Sequence, residues 1–258
     1  MKRYSILTYN FGGYEVLHEV VNPQEDVEYV YVTDDLTLKS NTWKIVYVDF
    51  PDTMNDFDKV CEVRYNCFKY CTTDICIRID ASIKVIGSAD KLIEDFNKGG
   101  YDFGVCVHPA RYNFVDEYNA WLAYRGYDLN QARKCVSMFM NAKYDMEYKS
   151  MIQQNISIQR RGELNDNIDR MSYALVRFIG VDGHAERIDQ IITSFVLNRY
   201  FNTYKVLTMS EQVVHSNVFQ WCLHGTDIYQ FKENVKPSYP FYDTGYFFNK
   251  EVELYKIK

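Results

Sequence analysis

Five β-favouring runs in the first 110 residues each lead into a polar or glycine-rich break, and this rhythm narrows the fold more than any other feature of the chain. Tyr4 to Tyr9 stops at Asn10-Phe11-Gly12-Gly13, and Val27 to Thr33 stops at Asp34-Asp35. Trp43 to Val48 is a third run, Ile75 to Ile79 delivers Asp80, and Tyr101 to Val107 carries His108-Pro109. Short runs of β-branched and aromatic residues bounded by turn formers read as strands. Ser88 can cap a helix in which Leu92, Ile93 and Phe96 share a face until Gly99-Gly100 stops it. Val60 to Tyr70 fits strand or helix. Strands separated by helices predict an α/β sheet with ligands at the carboxyl ends of its strands.

The second half reads as mostly helical. Asp128 with Gln131 makes a capping-box-like start, followed at helical spacing by Ala132, Cys135, Val136, Phe139 and Met140. Ile168, Met171, Leu175, Phe178 and Ile179 predict a helix closed by Gly180, and Ile188, Ile191, Ile192, Phe195 and Val196 predict another. Ile156 to Gln159 is the one further strand candidate there. No internal repeat, low-complexity tract or Pro/Ser linker interrupts the chain. A length of 258 residues lies within what one core sustains, about 250–300. The expectation is one domain over 1–258, with a ligand-binding half (1–110) and a helix-rich half (111–258).

Charge and cysteine content remove several classes. Twenty-nine Lys and Arg against 35 Asp and Glu leave a net charge of −6, so no global field gathers nucleic acid. No stretch reaches the roughly 20 apolar residues needed to span a bilayer, and the amino terminus is too polar for a signal peptide. A cytoplasmic protein is therefore expected, although contact with a membrane surface stays open. Seven cysteines, none in a Cys-x-x-Cys pair, are expected to be buried free thiols. Glycine spacing excludes the dinucleotide fingerprint and the P-loop, and no nucleophile elbow or His-Glu-x-x-His helix is present.

What remains are residues at predicted strand ends and helix starts. Asp80 follows an apolar strand, where a carboxylate can begin a turn or hold a hard cation; Ser82 shares its side if the segment stays extended. Arg64 and Lys69 precede that strand and suit a diphosphate, as two cations also suit any solvated face. The Asn10-Phe11-Gly12-Gly13-Tyr14 loop, just after Tyr9, is one that a ligand can approach closely along the backbone. His108, Arg111 and Glu117 gather near another strand end. Asp189 and Gln190 open a helix, where an acid complements the helix dipole or an acid and amide meet sugar hydroxyls. His215 and His224 lie nine residues apart. Aromatics reach 16%, with 23 tyrosines, a weak pointer to sugar stacking beside their ordinary core role.

In order along nearly the whole chain, these pieces resemble the GT-A-fold nucleotide-sugar glycosyltransferases, in particular bacterial relatives of the plant mucilage-type family. The resemblance is carried by Ser5-Ile6-Leu7-Thr8-Tyr9-Asn10, Tyr29-Val30-Tyr31-Val32-Thr33-Asp34-Asp35, Arg64…Phe68-Lys69 and Ile77-Arg78-Ile79-Asp80-Ala81-Ser82-Ile83. His108-Pro109…Arg111…Glu117, Ile158-Gln159-Arg160-Arg161 and Arg187-Ile188-Asp189-Gln190 complete it. It implies a GT-A-like (Rossmann-like), mixed and mostly parallel sheet flanked by helices. The implied reaction moves a sugar from a nucleoside-diphosphate donor to a hydroxyl of a saccharide or lipid-linked acceptor, as in bacterial surface polysaccharide synthesis.

The same resemblance implies roles. Tyr9, Asn10 and Gly12 would lie near the nucleoside, and Arg64 and Lys69 near the diphosphate. Asp80 would stand at the Asp-x-Asp metal position beside Ser82, with Mn²⁺ or Mg²⁺ completed by His215 in preference to His224. Asp189 and Gln190 would face the reacting sugar, and His108, Arg111 and Glu117 the acceptor. Two departures matter: serine replaces the second acid of Asp-x-Asp, and Ile188 spreads the Arg-Asp-Gln element. The competing expectations are a nucleotidyltransferase, an inactive sugar- or nucleotide-binding scaffold on the same fold, and an assembly subunit.

Overall fold

A computed structural model describes residues 2–108, 111–124, 129–146, 151–180, 188–200 and 205–229. Pro109, Asp128 and Arg187, named above, lie outside the described residues. Seven strands make one sheet: β1 (Tyr4–Asn10), β2 (Val27–Thr33), β3 (Lys44–Tyr47), β4 (Ile75–Ile79), β6 (Phe103–Val107), β7 (Ile152–Arg160) and β8 (Val206–Met209). Their order is β3-β2-β1-β4-β7-β6-β8, and every pairing is parallel except the two that β7 makes. Two short strands, β5 (Ile83–Val85) and β9 (Phe219–Trp221), pair antiparallel in a second sheet. The predicted mixed α/β class, with a mostly parallel sheet and flanking helices, is the observed one.

β1, β2 and β4 are buried nearly throughout, as central strands covered on both faces must be. Tyr4 and Ile6 of β1 and Ile75, Ile77 and Ile79 of β4 point to one face, where helix α2 (Asp90–Lys98) brings Leu92, Ile93 and Phe96. Leu7 and Tyr9 point to the other, against Val63 of α1 (Asp56–Arg64). Further along that face α4 (Leu129–Asn141), α5 (Glu163–Ile179) and α6 (Asp189–Tyr200) pack on Phe103 and Val105. α3 (Phe114–Tyr124) adds Phe114 to that cluster. The sequence spacing misassigns two residues of these helices to the core: Met140 is 65% exposed and Phe178 63%.

Three further local readings resolve differently. The ambiguous 60–70 segment is the end of α1 followed by a 3-10 turn at Cys67–Lys69, because Asn55 and Asp58 form a reciprocal capping box that starts the helix. Ser88 Oγ accepts from the Asp90 N–H at 3.1 Å, one position before the geometric cap, Ala89. The strand expected at 156–159 is longer, Ile152–Arg160, and carries a bulge. The β6–β7 ladder jumps from Val105↔Ser157 to Cys106↔Gln153, which leaves Gln154, Asn155 and Ile156 with no partner on β6. All seven cysteines are buried and free.

Candidate active site

The carboxyl ends of β1 and β4, the start of α6 and the β7 bulge face one pocket of about 590 Å³. Tyr9, Asn10, Arg64, Asp80, Ser82, His108, Arg111, Glu117, Asp189 and Gln190 all line it. A parallel sheet aims the ends of its strands at one edge, so residues far apart in sequence converge there.

Arg64 is the hub. It is the last residue of α1, 5% exposed, and three of its five N–H groups meet protein acceptors. Nε donates to the Tyr9 hydroxyl at 2.8 Å, Nη2 to Asp80 Oδ1 at 3.2 Å, and Nη1 to Asp189 Oδ2. Burial pulls the Arg64 guanidinium pKa down, but its neighbours Tyr9, Asp189 and Asp80 together hold it well above its usual value. Burial pushes the Asp80 carboxyl up, while Arg64 and Arg78 oppose that rise. Burial likewise takes the Tyr9 phenol up to about 12, so at neutral pH it is a hydroxyl that can bridge Arg64 and Asp80. Below this cluster Arg78 is buried, donating to the Arg64 carbonyl at 2.9 Å and to Gln154 Oε1 at 2.6 Å.

Asp80 sits in a tight turn, its carbonyl accepting from the Ile83 N–H at 2.9 Å. The segment is therefore not extended, yet Ser82 still reaches the pocket because β5 begins directly behind it. Asn10 is engaged internally: its side-chain amide bonds both the N–H and the carbonyl of Glu15 and closes the 10–15 loop. Gly12 does not line the pocket. It adopts φ +64°, and a Cβ there would come within 2.2 Å of Asp56 Oδ2, so the glycine serves the fold of the loop. Arg111 ties His108 and Glu117 together, its backbone N–H to His108 Nδ1 at 3.1 Å and its guanidinium to Glu117 at 2.7 Å.

Besides Gly12, two more expected site residues lie elsewhere. Lys69 stands on the 3-10 turn after α1, paired with Glu62 at 2.7 Å and 59% exposed on its side chain. The helical phase that aims Arg64 inward is lost past Tyr65, so the lysine leaves on another side. His215 follows a 3-10 turn and is buried with Nδ1 3.3 Å from the Tyr229 hydroxyl. It is His224 that lines the pocket, held through Nδ1 by the buried carboxylate of Glu15, which also accepts the Gly225 N–H at 2.7 Å.

A hard divalent cation takes several oxygen ligands. Asp80 offers one carboxylate already shared with a guanidinium, its neighbour two residues on is a serine, and His215 is outside the pocket. That donor set does not fit such an ion. Among the described residues, His18, Cys222 and Asp227 form a different group whose ligand atoms lie within 4.8 Å of one another. Lys84 holds both Asp227 carboxylate oxygens, at 2.9 and 3.0 Å, and already balances its charge.

Sequence reasoning missed Glu15, Phe57 and Trp221 in the wall, along with Gln153, Gln154 and Asn155. The last three carried a signal: three amides in succession at the amino-terminal end of a strand candidate. No described helix is long and apolar enough to cross a membrane. No protein-family model matches the chain, and no curated protein matches it.

Proposed function

We propose that the chain is a GT-A-fold glycosyltransferase that moves a sugar from a nucleoside-diphosphate donor to a hydroxyl of a saccharide or lipid-linked acceptor, in the synthesis of a bacterial surface glycan. The observation that carries this reading is the convergence of Tyr9, Arg64, Asp80 and Asp189 in one pocket at the carboxyl ends of parallel strands. Arg64 keeps two N–H groups beyond its three protein bonds, and a buried guanidinium is the natural partner of a departing diphosphate. Since the Asp80 donor set does not suit a divalent cation, the fixed charge of Arg64 takes the leaving group.

Asp189 bonds Arg64 through Oδ2, which leaves Oδ1 to take the acceptor's proton. The acceptor oxygen then bonds to the anomeric carbon as the bond from that carbon to the diphosphate breaks. Transfer in place of hydrolysis requires donor and acceptor in line and bulk water displaced from the pocket.

A thermal-shift panel of UDP-, GDP- and CDP-sugars, each with and without chelator, tests the reading. A ligand at 100 times its dissociation constant adds about 2.7 kcal/mol to the folded state. A shift from one donor that survives chelator is the expected result; silence from every nucleotide and nucleotide sugar sinks the reading. The closure of Arg64 on protein groups favours a second reading, an inactive binder on the same fold. Slow hydrolysis of the bound donor separates the two, since a binder leaves it intact.

A further inference from the structure

Arg64, Asp80 and Asp189 of the pocket are paired with one another, but four of its amide side chains are not fully paired. Among the described residues, Gln153 Oε1, Gln154 Nε2, both polar atoms of the Asn155 side chain and Gln190 Oε1 are buried without a hydrogen-bond partner, and all four residues line the pocket. Asn155 is only 5% exposed. Orphaned buried polar atoms cost roughly 1–3 kcal/mol each, so several in one wall mark a place that something else completes.

The bulge makes this wall. Where β7 leaves β6, Gln154 and Asn155 have no partner strand on that side. The Asn155 carbonyl still accepts the Asp80 N–H at 2.8 Å, which keeps the bulge beside the charged cluster. Bulges at sheet interiors re-aim side chains in this way. The orientation of Gln154 is set by chemistry: Arg78 can only donate, so Oε1 faces it and Nε2 is left as a donor.

We propose that Gln153, Gln154, Asn155 and Gln190 bind the uncharged sugar ring of the ligand, through hydroxyls that both donate and accept. The orphan atoms include amide donors (Gln154 Nε2, Asn155 Nδ2) and carbonyl acceptors (Gln153 Oε1, Asn155 Oδ1, Gln190 Oε1). A phosphate, which only accepts, cannot satisfy the carbonyls. A ring of hydroxyls can meet both kinds, because each hydroxyl rotates to suit its neighbour. The identity of the ligand as a nucleotide sugar rests on the function proposed above; the wall's preference for neutral hydroxyls does not.

The test uses the full chain and the substitutions Asn155→Leu and Gln153→Met, near-isosteric and apolar. Each is measured against the free nucleoside diphosphate, the matching nucleotide sugar and free monosaccharides. In the wild type the nucleotide sugar binds more tightly than the diphosphate, and each substitution removes about tenfold of that advantage while leaving diphosphate affinity unchanged. Without ligand, Asn155→Leu raises the melting temperature by about 2–4 °C, because it deletes unsatisfied polar atoms.

A variant that keeps the full sugar advantage overturns the proposal. Equal loss for the diphosphate and its sugar overturns it too, and assigns the wall to the nucleotide. If the wild type binds no nucleotide at all, the function proposed above fails. The wall is then judged by free monosaccharide binding and by the sign of the melting shift, where a drop for Asn155→Leu overturns it.

Discussion

The two sides of the pocket are built on opposite principles. On one, Arg64, Tyr9, Asp80 and Asp189 form a closed set, each held by the others before any ligand arrives. On the other, the amides of the β7 bulge and Gln190 keep buried atoms without partners. The charged side is ready-made because an isolated buried charge is far costlier than an isolated amide. The uncharged side can stay incomplete, and what it lacks describes its ligand. Orientation of charge is therefore supplied by the protein, while selection among neutral groups is left to the occupant.

Removing the hub is the most severe way to break this contrast. Arg64→Met strips the buried Asp189 and the partly buried Asp80 of their shared cation, and a loss of about 3–5 kcal/mol in unfolding free energy is expected from denaturant titration. Arg64→Lys restores the charge but not the three-way geometry, so it recovers only part of that stability.

Asp189→Asn is milder for the fold and tests the chemistry alone. Turnover should fall by about 10²–10⁴-fold with donor affinity nearly intact, as single-turnover kinetics and equilibrium binding would read. An unchanged rate removes Asp189 from the role of proton acceptor.

Asp169 on α5 offers a smaller effect outside the pocket. Burial takes its carboxyl up to about 7, against the pull of Arg78 and of the Gln159 amide at 3.1 Å. The unfolded chain holds that proton only below about pH 3.9. Between those values the folded state binds more protons, so stability falls as pH rises from about 4 to 7. Asp169→Asn should therefore be more stable than wild type at pH 8, by about 1–3 kcal/mol, with the gap closing toward pH 4. Denaturation curves at both pH values check the sign. The smallest effect is an expected null: transfer in excess chelator should stay within about twofold of the untreated rate, given the fixed charge of Arg64.

Much of the sheet was legible because its central strands are buried on both faces. Val27–Thr33 and Ile75–Ile79 appear as runs rich in β-branched and aromatic residues, each broken by one charge (Glu28, Arg78), and both have the predicted bounds. Asp80 was legible as a strand-end residue, Asp189 as a helix-start residue and Arg64 as a cation ahead of the Asp80 strand, and the fold brings the three together. The β7 bulge was not. Gln153-Gln154-Asn155 breaks the alternation that announces a strand, so only the apolar stretch after it was readable. Such a conflict between local pattern and fold is what a binding site imposes on a strand. Lys69 and His215 failed for a different reason: each lies at a 3-10 turn, where neither helical nor strand periodicity carries direction forward.

The antiparallel strand has a consequence for how the chain folds. β4 and β6 are complete by residue 107, yet they do not touch; β7, which ends at residue 160, must slot between them. Until it does, Ile75–Ile79 and Phe103–Val107 are two unprotected apolar edges on separate halves of a future sheet. Synthesis at about 5–20 residues per second leaves those edges open for several seconds. The slow step of folding should then be the entry of β7, and substitutions that weaken its pairing should first appear as aggregation during synthesis, before any loss of stability in the finished protein.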